Sequence, residues 1–569
     1  MMRFFMRARG RQRHNSRRLD SVLGLLGLIL AMAISPPAVR GTDPWARLQQ
    51  AAALDGEAVW GHWGPDAKKY SSWTTHTNRL IPIYVFGGNL RKYTGSASVY
   101  RSEQRLTELY GQLPAGTLNP QADYCDQTDV YRLQIDAIAA GKKRIILLVF
   151  DGLDWPTTQA AAIAKTGKVP YHEGRGHGLF FQDYQGTETD FGFCVTSPHN
   201  DGTNVDVNNQ RVTNAGGDTP GGYDASLGGA TPWEAPADPL YPIAKSKQRR
   251  HAYTDSASSA TSLTCGIKTY NNAINVDPLG REVIPIARQL QEKGFAVGAV
   301  SSVPISHATP ACAYANNVHR SDYQDLSRDM LGLPSIFHPG GLPGMDVVLG
   351  CGWGEEKDKD GAQGDNFFPG NRYLTAADLQ HIDARHGGKY IVVQRSAGQL
   401  GTALLREGVE QAKATGHRLF GFFGVPSGHL PFQTIDGGFD PVADGGGSTR
   451  GKAETYTAAD IDENPSLADM TLAAVETLQA RKDRWWLMVE AGDVDWANHA
   501  NNIDNSIGAI LSGEEAFRAL VEWIEQNGGW EDTMVIVTAD HGHYFTLEDP
   551  SRFRGAPEQW GDQVGQSSN

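Results

Sequence analysis

Cysteine is scarce in this sequence. Five residues among 569 carry all of it: Cys125, Cys194, Cys265, Cys312 and Cys351. No pair has metal-ligand spacing, which excludes a cysteine-built metal site. In an exported chain such a set allows one or two disulfides with one cysteine left over. Spacing alone does not pair them. Cys265 and Cys312 lie in apolar stretches that suit buried thiols. Positive charge is also short. Lys and Arg number 51 against 65 Asp and Glu, for a net charge of −14. No basic patch points to nucleic acid as a specific partner. No internal repeat is visible, which argues against a solenoid. No apolar run is long enough to span a bilayer comfortably; Val22 to Ile34 falls short.

That run follows an arginine-rich start. Arg3, Arg7, Arg9, Arg11, Arg13, Arg17, Arg18 and Arg40 stand against one acid, Asp20, in residues 1–40. Basic residues, a short apolar run and then Ser35-Pro36-Pro37-Ala38 fit a cleaved signal peptide. An uncleaved membrane anchor is the alternative, and stable membrane insertion is not expected. The reading is therefore a protein exported to the periplasm or the medium. Removing residues 1–40 takes away a net +7, from −14 to −21. So acidic a surface repels phosphate at long range, and any phosphate site must supply strong local positive charge.

The length allows about two to four domains, or one large α/β domain with insertions. Residues 41–140 mix Trp and Tyr with turns, as in Trp60-Gly61-His62-Trp63-Gly64-Pro65 and Leu80-Ile81-Pro82-Ile83-Tyr84-Val85-Phe86. They read as an ordered N-terminal extension packed on a catalytic domain over 141–569, and they carry no catalytic pattern. A short amphipathic helix is predicted over 131–140. Arg144 to Phe150, RIILLVF, is a continuous apolar run of the kind found in a doubly covered parallel sheet. It ends in Asp151-Gly152, and ligands of open α/β sheets gather at such strand ends. A helix is predicted over 157–165. Residues 171–245, rich in Gly, Asn, Asp and Pro, read as a long insertion.

The stretch Tyr253 to Asp277, YTDSASSATSLTCGIKTYNNAINVD, places Ser256 after Asp255 and before a run of small residues. A hydroxyl there faces the free N–H groups and positive dipole of a helix start, a site for phosphate. Alone, Ser256 reads more readily as an ordinary cap than as a nucleophile. Further helices are predicted over 282–293 and 311–318. Further strands are predicted over 295–300, 346–349, 390–393, 419–425, 485–489 and 533–537. Between them lie Ser306-His307-Ala308-Thr309-Pro310, Glu490, Asp495 with His499, and Thr538-Ala539-Asp540-His541-Gly542-His543. Asp495 and His499, four apart, share a face if helical and can bind one zinc. Crowded carboxylates repel one another unless cations neutralise them. Mixed Asp/His groups suit zinc, while oxygen-only groups such as Thr309 and Glu490 suit magnesium.

Taken together, these motifs resemble those of the alkaline phosphatases. The resemblance rests on Asp151-Gly152, Thr254-Asp255-Ser256-Ala257, Gly266-Ile267-Lys268-Thr269-Tyr270-Asn271, His307-Ala308-Thr309-Pro310, Arg320, Glu490, Asp495, His499 and Thr538-Ala539-Asp540-His541. They occur in the family's order across residues 144–543. The resemblance implies a three-layer α/β/α sandwich around a large, mostly parallel sheet, and usually a homodimer. It implies hydrolysis of small phosphate monoesters through a phosphoserine on Ser256, with two zinc ions and one magnesium. Asp151, Asp540 and His541 would hold one zinc, and Asp495 and His499 the second. Asp151, Thr309 and Glu490 would hold magnesium. Arg320 would clamp the phosphate and Asp255 would orient Arg320.

Two departures stand out. His307 and Trp496 occupy positions where some members carry other residues, and both bear on metal and phosphate affinity. The family also places one more histidine on the second zinc, well downstream of the Asp-His pair. No histidine follows His543 here. A truncated or divergent C-terminus would explain that, and His543 itself is a possible substitute. A catalytically weak phosphate- or metal-binding relative is the alternative function.

Overall fold

The computed structural model describes residues 44–217, 219–446 and 452–553. The signal-peptide reading over 1–40 and most of the glycine-rich loop 444–451 lie outside those residues.

Ten strands form the central sheet. In chain order they are β1 (Leu80–Phe86), β2 (Cys125–Asp126), β3 (Arg144–Phe150), β4 (Thr189–Val195), β5 (Ala296–Pro304), β6 (Val347–Cys351), β7 (Tyr390–Gln394), β8 (Arg418–Phe422), β9 (Trp485–Ala491) and β10 (Thr533–Ala539). Across the sheet they run β7-β8-β6-β5-β9-β3-β10-β1-β4-β2. Every neighbour pair is parallel except the two made by β1. The continuous apolar runs of β3, β9 and β10 occupy the middle and are buried along their whole length. Both faces are covered, so these strands need no polar side.

The helices that matter for the site are α1 (Gln127–Ala139), α2 (Trp155–Thr166), α3 (Ser256–Cys265), α4 (Ile286–Glu292), α5 (Ala308–Cys312), α6 (Gly401–Thr415), α7 (Leu467–Arg481), α8 (Asp493–His499) and α9 (Ile503–Gln526). One layer contains α1, α3, α4 and α5; the other contains α2, α6, α7 and α9. The architecture is a three-layer α/β/α sandwich. All ten residues of α3, SASSATSLTC, are buried. Their small side chains let the helix sit close against α1. Gln134 of α1 ties the layers together: it donates to the Leu263 carbonyl at 3.0 Å and accepts from the Trp486 indole at 2.8 Å. A buried indole needs such a partner.

Three sequence expectations differ from the fold. The helix predicted over 311–318 is α5, which starts at Ala308 and stops at Cys312. Pro310 sits in its first turn, where a missing N–H costs nothing. Beyond it, Asn316 turns away to bond Asp329 through its backbone. The strand predicted over 419–425 stops at Phe422. Third, Leu80–Phe86 received no element, yet it lies inside the sheet as β1. Pro82 weakens a strand assignment because it cannot donate to the ladder. Tertiary pairing overrides that, and the stretch 171–245 likewise contributes β4.

Candidate active site

Register builds the first part of the site. β3 lies between β9 and β10, with Val149 opposite Glu490 and Phe150 opposite Ala539. The next residues, Asp151 and Asp540, therefore emerge side by side at the carboxyl edge. Glu490 pairs with Ser301 of β5, whose hydroxyl donates to the Glu490 carboxylate. Four buried acids, Asp151, Glu490, Asp495 and Asp540, thus crowd one edge. Burial raises Asp151 well above the carboxylate range, and the charges of Asp540, Asp495 and Glu490 add to it. Burial pushes Glu490 up to about 8, with Asp540 adding to the rise. Such a cluster calls for cations.

The spacing agrees. His541 Nε2 lies 3.2 Å from Asp151 Oδ1 and 3.4 Å from Asp540 Oδ2. Ligands at 2.0–2.2 Å in a tetrahedron stand roughly 3.3–3.5 Å apart. Asp540 uses Oδ1 to accept the Gly152 and His541 N–H groups, each at 2.9 Å. Its Oδ2 is buried and has no hydrogen-bond partner. Ser256 Oγ sits 3.2 Å from His541 Nε2 and 3.5 Å from Asp151 Oδ1. The hydroxyl therefore occupies the open corner of this group. It is the first residue of α3, capped by Asp255, which accepts from Ser258 N at 3.0 Å.

Asp255 also anchors a cation beside the serine. Arg320 Nη1 donates to Asp255 Oδ2 at 3.0 Å, and the same oxygen accepts from Asn272 N at 3.1 Å. Burial works against the Asp255 charge, but Arg320 together with the Ser258 and Asn272 N–H groups outweighs it and the carboxyl stays below its usual range. An oxygen-only group completes this side: Thr309 Oγ1 stands 3.5 Å from Asp151 Oδ2, and the buried Glu490 Oε1 lacks a partner.

The second group forms around Asp495 on α8. His499, one turn on, has Nε2 at 3.5 Å from Asp495 Oδ1. His499 Nδ1 bonds the Thr74 carbonyl at 2.6 Å, which leaves Nε2 as the lone-pair nitrogen. His76 Nε2 lies 3.7 Å from the same Asp495 oxygen, with its ring centroid 4.9 Å from that of His499. These separations leave room for an ion. His543 Nε2 approaches Asp495 Oδ1 to 2.6 Å, a direct hydrogen bond that leaves none. His543 therefore orients Asp495, and His76 is better placed than His543 as the third side chain. Burial among His541, His499 and His543 holds His76 well below the usual imidazole range, in the neutral form that ligates metal.

His76 comes from the segment in which the sequence offered no catalytic pattern, upstream of the first strand and not downstream of His541. Its position depends on long-range pairing. Thr77 N donates to the Gly542 carbonyl at 2.9 Å, and His62–Trp63 pairs antiparallel with Phe545–Thr546. No local spacing announces it. Gln127 was also missed: its amide donates to the Asp540 carbonyl at 2.5 Å and accepts from Ser259 Oγ at 2.8 Å. Gly152 has a recognisable reason. Its φ is +75°, and a Cβ there would stand 2.8 Å from the His543 ring. His307 lies outside both metal groups, beside Trp496 at 5.7 Å between ring centroids. Burial, with Arg320 adding, lowers it to about 3, so it is a neutral imidazole.

The structure thus brings together Asp151, Ser256, Thr309, Glu490, Asp495, His499, Asp540 and His541, with Asp255 and Arg320 at the serine. Among the described residues, Asp151–Asp540–His541 and His76–Asp495–His541–His543 each have donor atoms within 4.8 Å of one another; His543 joins the second set through its direct hydrogen bond to Asp495, and His499 flanks that set with Nε2 3.5 Å from Asp495 Oδ1. The chain is similar to alkaline phosphatase 4 of Bacillus subtilis, 28% identical over 330 residues, covering 57% of this chain and 56% of the relative. The alkaline phosphatase of Escherichia coli K12 is 28% identical over 324 residues, covering 53% and 61%. The chain spans about half to three fifths of the length of these relatives. Among solved structures, the cold-active alkaline phosphatase of a Shewanella species aligns at a TM-score of 0.40 and 21% identity, over 70% of this chain and 68% of that one. The sequence profile of the alkaline phosphatases matches residues 228–568, more than half of the chain and all the site residues named above except His76, Gln127, Asp151 and Gly152. The chain belongs to the alkaline phosphatase family.

Proposed function

We propose that this protein hydrolyses small phosphate monoesters through a phosphoserine on Ser256 and releases inorganic phosphate. The observation that carries this is the placement of Ser256 Oγ, at a helix start, 3.2 Å from His541 Nε2 and 3.5 Å from Asp151 Oδ1. Arg320, steered by Asp255, clamps the phosphate oxygens with its planar fork. Ser256 Oγ then bonds phosphorus as the ester P–O bond breaks and the alcohol leaves. Water attacks the same phosphorus, the P–Oγ bond breaks, and Ser256 regains its proton. Positioning and charge stabilisation do most of the work.

Two zinc ions and one magnesium fit the donor atoms. Asp151, Asp540 and His541 would hold one zinc. Asp495, His499 and His76 would hold the second. Asp151, Thr309 and Glu490 would hold magnesium. When bound, these ions would neutralise the four buried acids and lower the pKa values of the serine hydroxyl and the attacking water. His76 also favours the active enzyme over a weak binding relative, because the second group then has three protein side chains. The signal-like start supports export to the periplasm or the medium, and the family resemblance supports a homodimer. Among the described residues no helix is long and apolar enough to cross a membrane.

The test is hydrolysis of a chromogenic phosphate monoester by the full chain at alkaline pH with zinc and magnesium. Ser256→Ala should lose about 10³-fold or more of kcat/KM. Retained turnover in Ser256→Ala would overturn the reading.

A further inference from the structure

Cys125 and Cys194 lie outside the chemistry described so far, yet they face each other. β2 and β4 pair in parallel, and Cys125 stands directly opposite Cys194 in the register. Neighbouring strands are about 4.8 Å apart, inside the Cα separation of about 4.4–6.8 Å that a disulfide spans. The sulfurs are 3.0 Å apart and both residues are fully buried. The other three cysteines have different company. Cys265 contacts Thr264, Asn275 and Val283, Cys312 contacts Thr261 and Ala257, and Cys351 lies in β6.

We propose that Cys125 and Cys194 form a disulfide that fastens the edge of the sheet beneath the serine. Its position gives it a purpose. β2 is only two residues long and ends the sheet. Edge strands so short are held weakly by their own ladder. The three residues Cys125–Gln127 nevertheless carry five connections. Asp126 caps α1 and binds Lys268 Nζ at 3.0 Å with both side chains buried. Asp126 also accepts from the Tyr100 hydroxyl at 2.6 Å. Gln127 reaches the Asp540 carbonyl and Ser259. A bond at Cys125 therefore pins the start of α1, and through Gln127 it steadies the backbone of Asp540 and the helix that bears Ser256.

The chemistry is thiol–disulfide exchange with an external disulfide as oxidant. The two thiols lose two protons and two electrons, one S–S bond forms, and the oxidant leaves as two thiols. Burial, followed by contact with Cys194, raises the Cys125 thiol well above its usual range. Both residues are fully buried in the folded chain, out of reach of an external disulfide, so exchange belongs to folding, before β2 docks.

The test is a thiol count and peptide map. The full chain is refolded in an oxidising mixture of oxidised and reduced glutathione, then alkylated in denaturant with and without prior reduction. Three alkylated cysteines without reduction, five with it, and a Cys125–Cys194 linked peptide are expected. Five alkylated cysteines in both arms, or a linked peptide joining any other pair, would overturn the proposal. Reduction should also lower the Tm of the wild type and leave the Tm of Cys125→Ser/Cys194→Ser unchanged. An equal loss in both would show that the reductant acts elsewhere and would also count against the bond.

Discussion

The two halves of the site are built from different parts of the fold. Asp151, Asp540 and His541 stand at the ends of adjacent central strands, with side chains at most 1% exposed. Backbone N–H groups hold one Asp540 oxygen, and Gln127 holds the carbonyl behind it. His76 and His499 instead come from a loop and the end of a seven-residue helix, and their side chains are 13% and 38% exposed. Asp495 alone in this group is deeply buried, and it depends on His543 for its orientation. The sheet makes one half rigid before any ion arrives. The other half is assembled by distant segments meeting at its rim, where local opening is cheaper.

That contrast can be broken at several points. The largest effect belongs to the strand-end half. Asp540→Asn removes the charge and alters the oxygen that accepts two backbone N–H groups, so activity should fall about 10³-fold or more. Metal content by mass spectrometry should show loss of the zinc at the strand-end half. Next, His76→Ala should remove one zinc per chain and lower kcat/KM by more than about 10²-fold, beyond the loss outer-shell changes usually cause. A full zinc complement in His76→Ala would place His76 outside the ligand set. His543→Ala should cost about 10- to 100-fold in zinc affinity, since the hydrogen bond it removes only orients Asp495. The smallest effect is kinetic. During titration with a chelator, one zinc should leave well before the other, and His543→Ala should hasten that first loss alone. Simultaneous release would show that the halves are equally rigid.

The same contrast explains what could be read in the sequence. RIILLVF followed by Asp-Gly, and TMVIVTA followed by Asp-His, follow a local rule: a doubly buried parallel strand presents its next residues at the ligand edge. Asp495 and His499 were legible from helical spacing. Ser256 and Arg320 needed the whole set of motifs, because a serine cap and a lone arginine are common. His76 was illegible. Its neighbours Trp73, Thr74 and Thr75 carry no period, and it reaches the site only through the Thr77–Gly542 bond and the pairing of His62–Trp63. β1 was obscured by Pro82, which pairs with Phe193 of β4 and lies beyond the register with β10, which stops at Ile83. Contacts that follow from a strand end are local information; contacts between residues hundreds of positions apart are not.

The most direct measurement is an acid quench during turnover of a phosphate monoester, followed by mass spectrometry of the peptide containing Ser256. A phosphoryl group on Ser256 in the wild type, absent from Ser256→Ala, is the result predicted here. Steady turnover with that peptide never phosphorylated, under conditions that trap the intermediate, would contradict a serine nucleophile.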